Sequence, residues 1–193
     1  MRFIENIEIR SNVFLCMRER GKLVPGSRRE GHNVFTVTGR NLLSKLIGWQ
    51  TIGSTDIPFT HKRVRWCGVG IGSQLEVTTV ATLNDPTLAS GANYLAALQS
   101  VEFPDPTTIR FNKVFGPTEI TFGSAPVPVT EAGLFADVNP WDMGGTEDTQ
   151  ASGGFNTTLR PDVPNNPPVV YKTFEELNKT SDFSLEIQWD FRF

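Results

Sequence analysis

A chain of 193 residues with 38% hydrophobic and 20% charged side chains is ordinary for a soluble globular protein, long enough for one domain with a generous core. A formal net charge of -3 and a pI of about 5.4 argue against the whole molecule acting as a nucleic-acid magnet. No run approaches the roughly 18 apolar residues that cross a membrane as a helix, and fourteen Phe against two Tyr point to packed apolar faces rather than a Tyr-rich recognition surface.

The first residues, MRFIENIEIR, carry charges at Arg2, Glu5, Glu8 and Arg10 and lack the apolar core of a signal peptide, so synthesis in the cytoplasm is expected. Residues 1–30 read as an N-terminal extension or hairpin. VFLCMRE at 13–19 and VFTV at 34–37 flank a turn-rich stretch and suggest a hairpin or a broken pair of strands. Basic side chains gather at Arg18, Arg20, Lys22, Arg28 and Arg29, and again at His61, Lys62, Arg63 and Arg65. Glu19 and Glu30 interrupt the first group and no aromatics interleave, so a solvated face or an acidic partner fits better than nucleic acid. Arg28 and Arg29 are the interaction candidates there.

One segment follows a helical period. In TGRNLLSKLIGW, Leu42, Leu43, Leu46 and Ile47 share a face, Thr38 is placed to cap the first turn and Gly48 to end the last. The expected helix has about three turns and covers an opening or edge of the sheets. In RVRWCGVGI, Val64 and Trp66 have one parity and Val69 and Ile71 the other, so a bulge at Cys67–Gly68 would keep all four on the core face. The glycines of GVGIG lack dinucleotide-loop spacing and read as places for close backbone approach. Val77–Leu83 carries a weak helical signal. IRFNKVF (109–115) and EITF (119–122) surround a Gly-Pro pair and suggest a hairpin.

VPVTEAGLF (127–135) places Glu131 on the parity of Val127, Val129 and Phe135, the apolar face unless Gly133 marks a bulge. A carboxylate there needs hydrogen bonds or a countercharge, which makes it a structural acceptor for backbone N–H groups or an arginine, or else a catalytic acid. Residues 139–168 are too long and too poor in packing residues for an ordinary connection. They are a tolerated insertion or an arm ordered by neighbouring subunits, with Trp141 and Phe155 as anchors. VVYKTF (169–174) precedes the last strand, SLEIQWDFRF, in which Leu185, Ile187, Trp189, Phe191 and Phe193 alternate with polar residues.

Cys16 and Cys67 suit a reducing compartment, with a disulfide between them left open. His32 and His61 are far apart and fit solvated loops better than a metal site; neither metal nor cofactor is expected. No GxSxG, HExxH or GxxxxGK[ST] occurs, and no heptad or 20–50-residue repeat marks a fibre shaft.

Four segments together resemble a family of tailed-bacteriophage virion structural proteins. GHNVFTVTGRNLLSKLIGW is similar to its opening, RWCGVGIGSQ to its next strand, VTEAGLF to its E-A-G-L-F signature, and NKTSDFSLEIQWDFRF to its closing strand. The 139–168 excursion and the first thirty residues depart from that pattern. The resemblance implies a β-rich building block of the virion, without catalysis, whose partners are copies of itself in a symmetric ring or trimer and other tail or neck proteins.

The reading is therefore a single all-β domain over 1–193, a β-sandwich or jelly-roll-like barrel with one short covering helix and a long loop excursion. Trp189, Phe191 and Phe193 are its structural anchors beside Glu131. It is expected to be a tail, baseplate or neck/collar fitting that joins subunits or anchors fibres. The main alternative is a receptor- or carbohydrate-binding module of the tail, with Trp49 and Trp141 stacking on sugar rings. A tail-associated cell-wall hydrolase is the third.

Overall fold

The structure, a computed structural model, describes residues 9–47, 64–120, 125–136 and 167–193. Expectations placed on Trp49, His61, Lys62, Arg63, Trp141 and Phe155 fall outside the described residues, as does nearly all of the 139–168 excursion. The elements run β1 (Arg10–Glu19), β2 (Lys22–Leu23), β3 (Arg29–His32), β4 (Val34–Phe35), α1 (Val37–Ile47), β5 (Val64–Gly70) and β6 (Leu95–Ala97). Next come β7 (Ser100–Asp105), β8 (Thr108–Phe115), β9 (Val127–Ala136), β10 (Val170–Lys179) and β11 (Ser184–Arg192). They form two antiparallel sheets, β2-β1-β11-β8-β7 with β3 also on β1, and β4-β10-β9-β5-β6. The fold is all-β with one short helix, an open sandwich rather than a closed barrel.

Alternation in sequence becomes two faces in space. Along β1, Val13, Leu15 and Met17 point inward, directly opposite Trp189, Ile187 and Leu185 of β11. From the second sheet Cys67, Val69, Val129, Leu134, Val170 and Leu177 meet them to form the main core. The last strand carries the strongest pattern because it is central: β11 is paired with β1 on one side and β8 on the other. Leu185, Ile187 and Trp189 on its inward face are buried and both of its backbone edges are used.

The strands expected at 13–19 and 34–37, as a hairpin or a broken pair, are divided between the two sheets. The run 13–19 pairs with β2 and β3, whereas 34–35 leaves for the other sheet and pairs with β10. The tight turn after β1 uses Arg20 and Gly21, both with positive φ (48° and 82°), as a two-residue hairpin connection requires. Likewise β8 pairs with β7 and β11, and β9 lies in the opposite sheet; of the expected EITF partner only Glu119 and Ile120 are among the described residues, and neither stands in a strand. After β1 the turn residues signal a reversal, and tertiary packing decides which of the following strands stay in its sheet.

The helix forms over the expected span, with a different cap. The Gly39 N–H donates to the Thr36 hydroxyl at 3.1 Å and the Arg40 N–H to the Thr36 carbonyl at 3.0 Å, so Thr36 is the N-cap. Thr38 lies inside the first turn, buried. The Thr36 hydroxyl also donates to the Pro168 carbonyl at 2.6 Å, which ties the helix start to the entry of β10. Gly39 is required by space: a Cβ there would run into the Val169 carbonyl and the Phe35 ring.

The bulge in β5 sits earlier than expected. Register shifts between Val64 and Trp66, at Arg65, rather than at Cys67–Gly68. Cys67 and Val69 therefore face the main core, Trp66 faces the other side, and Ile71 is exposed. Trp66 finds partners there because the segment between β5 and β6 folds back over the outer face of the second sheet. Val80, Leu83, Leu95, Phe135 and Tyr171 make a second, smaller core beneath it. Within that cover, Val77–Leu83 is irregular with a single turn at 78–79, not a helical turn.

Candidate interaction surface

At one end of the sandwich the inward-facing residues do not meet. A cavity of about 380 Å³ opens between the sheets, with an almost wholly apolar lining. Ile9, just before β1, and Phe191 of β11 contribute from one side, Phe35 of β4 and Val169, just before β10, from the other, and Leu42 and Leu43 from α1, which lies over this end. Phe191 is its aromatic hub, edge-on to Phe111 at 5.4 Å and to Phe35 at 6.3 Å between ring centroids.

The rim of this cavity is exposed. Phe103 is 71% exposed, Phe193 49% and Val101 45%. The alternation of the closing strand predicts Phe193 inside; its parity is inward, but the strand ends there and nothing among the described residues covers it. Two bulky phenyl rings and a valine side by side on an edge are the kind of apolar patch that marks a contact site. Val101 and Phe103 belong to β7, an edge strand absent from the elements expected of the sequence. Its signal is the alternation in VEFPD, closed by a proline. Pro104 and the register shift between Glu102 and Asp105 disrupt the free edge, so this surface offers side chains rather than a template for another strand.

Glu131 is the second feature, and its face differs from the expected one. The inward set along β9 changes from Val127 and Val129 to Ala132, Leu134 and Ala136, so Glu131 points with Phe135 away from the main core. It is nevertheless 0% exposed, because the cover between β5 and β6 lies over it. Its carboxylate accepts the Asp85 N–H at 2.8 Å, the Asn84 N–H at 3.0 Å and the Tyr171 hydroxyl at 2.7 Å. Burial, and after it the Glu131 carboxylate, push the Tyr171 phenol well above its ordinary range, which keeps it a hydrogen-bond donor.

A reciprocal clasp reaches the other way. Glu76, on the cover, accepts the Thr173 N–H at 2.9 Å and its hydroxyl at 2.7 Å, and pairs with Lys172 at 2.8 Å. Burial alone would raise the Glu76 carboxyl, but the hydrogen bonds from Lys172 and Thr173 outweigh it and hold it below its ordinary value. The glycines of GVGIG make room for this cover. A Cβ at Gly68 would meet Leu95 at 2.8 Å, and one at Gly72 would meet the Asp85 nitrogen at 2.7 Å.

Three of the basic residues of the N-terminal region are paired. Arg18 binds Glu186 at 2.6 Å, Arg28 binds Glu30 at 2.8 Å, and Arg29 lies 3.5 Å from Glu175 while donating to the Gly26 carbonyl. Arg65 stacks over Trp66 at 5.3 Å. Arg28 and Arg29 stand apart from the apolar rim and mostly serve local turns. Cys16 and Cys67 are both free thiols; Cys67 is buried in the main core, which pushes its pKa up to about 12. Among the described residues no group of three His, Cys, Asp or Glu side chains is placed to hold a metal ion, and no helix is long and apolar enough to cross a membrane.

Comparison with protein-family models, with curated proteins and with solved structures gives no match for this chain. The class that fold and surface define is a two-sheet β-sandwich with an apolar, side-chain-presenting end.

Proposed function

We propose that this chain is a non-enzymatic structural component of a tailed-bacteriophage virion, a tail, baseplate or neck/collar fitting that joins neighbouring subunits or anchors fibres. It is synthesised in the host cytoplasm and resides in the particle. The observation that carries the reading is the exposed Val101–Phe103–Phe193 rim around an apolar cavity, on a sandwich whose adjacent edge strand is blunted by Pro104. Such an end suits docking of one rigid body on another. The sequence resemblance supplies the particle in which docking would occur.

The patch is small against the ~800 Å² per partner that stable pairwise complexes bury. A ring or trimer multiplies modest contacts, so symmetry supplies avidity where one patch would not. Native mass spectrometry at tens of micromolar should report a closed oligomer that Phe103→Ser weakens, and labelled particles imaged at low resolution should carry the protein at the tail or neck. A monomer that binds immobilised glycans and is absent from particles would overturn the reading in favour of a receptor-binding module.

A further inference from the structure

We infer that the end of the sandwich opposite the apolar rim holds a pocket for one basic side chain, an arginine presented by a protein partner. Strand β5 runs from Val64, in the apolar cavity, to Gly70. Directly after it, at Ile71, a separate pocket of about 300 Å³ opens between the cover and the start of β9. Ile71, Pro86, Pro126 and Pro128 give it apolar walls, and Tyr94 adds an aromatic ring. Among the described residues Asp85 is the one charged member of its lining. Asp85 is exposed, and its side chain has no hydrogen-bond or ion-pair partner among the described residues; neither has the Tyr94 hydroxyl.

A second observation comes from the buried carboxylate next to this wall. Glu131 is fully buried and accepts the Asp85 N–H at 2.8 Å, so its charge lies one hydrogen bond away from Asp85. Its three donors, two backbone N–H groups and the Tyr171 hydroxyl, are all neutral. Among the described residues no cation stands within ion-pair distance of it. A buried charge is screened far less than one in water, so Glu131 and Asp85 together make this end attractive to a cation. The walls then select the kind of cation. A hydrated metal ion gains nothing from proline and isoleucine, whereas the methylene stem of a long basic side chain packs against them. A guanidinium is more weakly hydrated than an ammonium, stacks on an aromatic ring and offers a carboxylate two parallel N–H bonds. One ring and one carboxylate match one guanidinium, and a volume at the low end for ligand pockets leaves room for little more. Arginines seated in this way are common anchors of protein interfaces. The pocket stands whether or not the chain is a virion fitting, and it is separate from the Val101–Phe103–Phe193 rim.

The test uses the full chain, isotope-labelled for NMR, titrated in low salt with N-acetyl-arginine methylamide and with its citrulline counterpart, which keeps the shape and lacks the charge. The arginine probe should move the Tyr94 ring and Ile71 methyl signals saturably in the millimolar range, and bind at least about fivefold more tightly than citrulline. Asp85→Asn should abolish that preference and leave the rest of the spectrum intact, because the backbone N–H at this position still reaches Glu131. Tyr94→Leu should weaken the arginine probe about threefold. Equal binding of the two probes would overturn the inference. So would an Asp85→Asn chain that keeps the preference, or Tyr94 signals that stay still up to tens of millimolar.

Discussion

Glu131→Ala is the most informative single change, because one buried carboxylate joins the sandwich to its cover. The substitution deprives the Tyr171 hydroxyl, in a fully buried residue, and the Asn84 and Asp85 N–H groups of their acceptor. An orphaned buried hydroxyl costs about 1–3 kcal/mol, and the two amides, on exposed residues that water reaches, about 0.5–1 kcal/mol each. Relief from burying the charge offsets part of this, leaving a loss of about 3 kcal/mol. Glu131→Gln keeps shape but turns one acceptor into a donor facing donors, and should fall between. Urea unfolding followed by circular dichroism measures both. A change within about 0.5 kcal/mol for the alanine variant would refute the clasp, since it would mean the cover is held by its apolar contacts alone.

The remaining expectations concern the same cover and the core beneath. In Gly70→Ala the new Cβ would press on the Glu131 carboxylate and lie 2.5 Å from the Asp85 carbonyl oxygen, so stability should drop by about 2–3 kcal/mol, read in the same unfolding experiment. The folded-state pKa of Glu76 is depressed, so its contribution is fully present above its ordinary value of 4.5 and is lost as pH falls through the lower folded value. Unfolding free energy measured from pH 7 to pH 3 should therefore decline, and decline less steeply in Glu76→Gln; identical slopes would count against the clasp. Cys67, with a thiol pKa pushed up to about 12 in the core, should resist a thiol reagent at pH 8 until the protein is unfolded in guanidinium, whereas the half-buried Cys16, its pKa also raised by burial and by the Glu186 carboxylate, should react natively but more slowly than a free thiol. Labelling of Cys67 at the rate of a free thiol would show that the core opens locally.

Much of this architecture is written in local pattern. The period-two runs of VFLCM and SLEIQWDF are strands because alternation buries one face whatever lies beyond it, and the helical spacing of Leu42 and Leu43 is equally self-contained. What pattern could not settle is everything that depends on a second layer. Thr36 rather than Thr38 caps α1 because the Pro168 carbonyl, distant in sequence, fixes the Thr36 hydroxyl. Glu131 and Trp66 face away from the main core because a cover brought in from elsewhere in the chain makes a second buried face, so both sides of β9 are apolar and parity loses its meaning there. The exposed edge at Val101 and Phe103 was likewise hidden: burial belongs to neighbours, and a residue's neighbours across a sandwich are set by how its sheets close, not by the residues beside it in the chain.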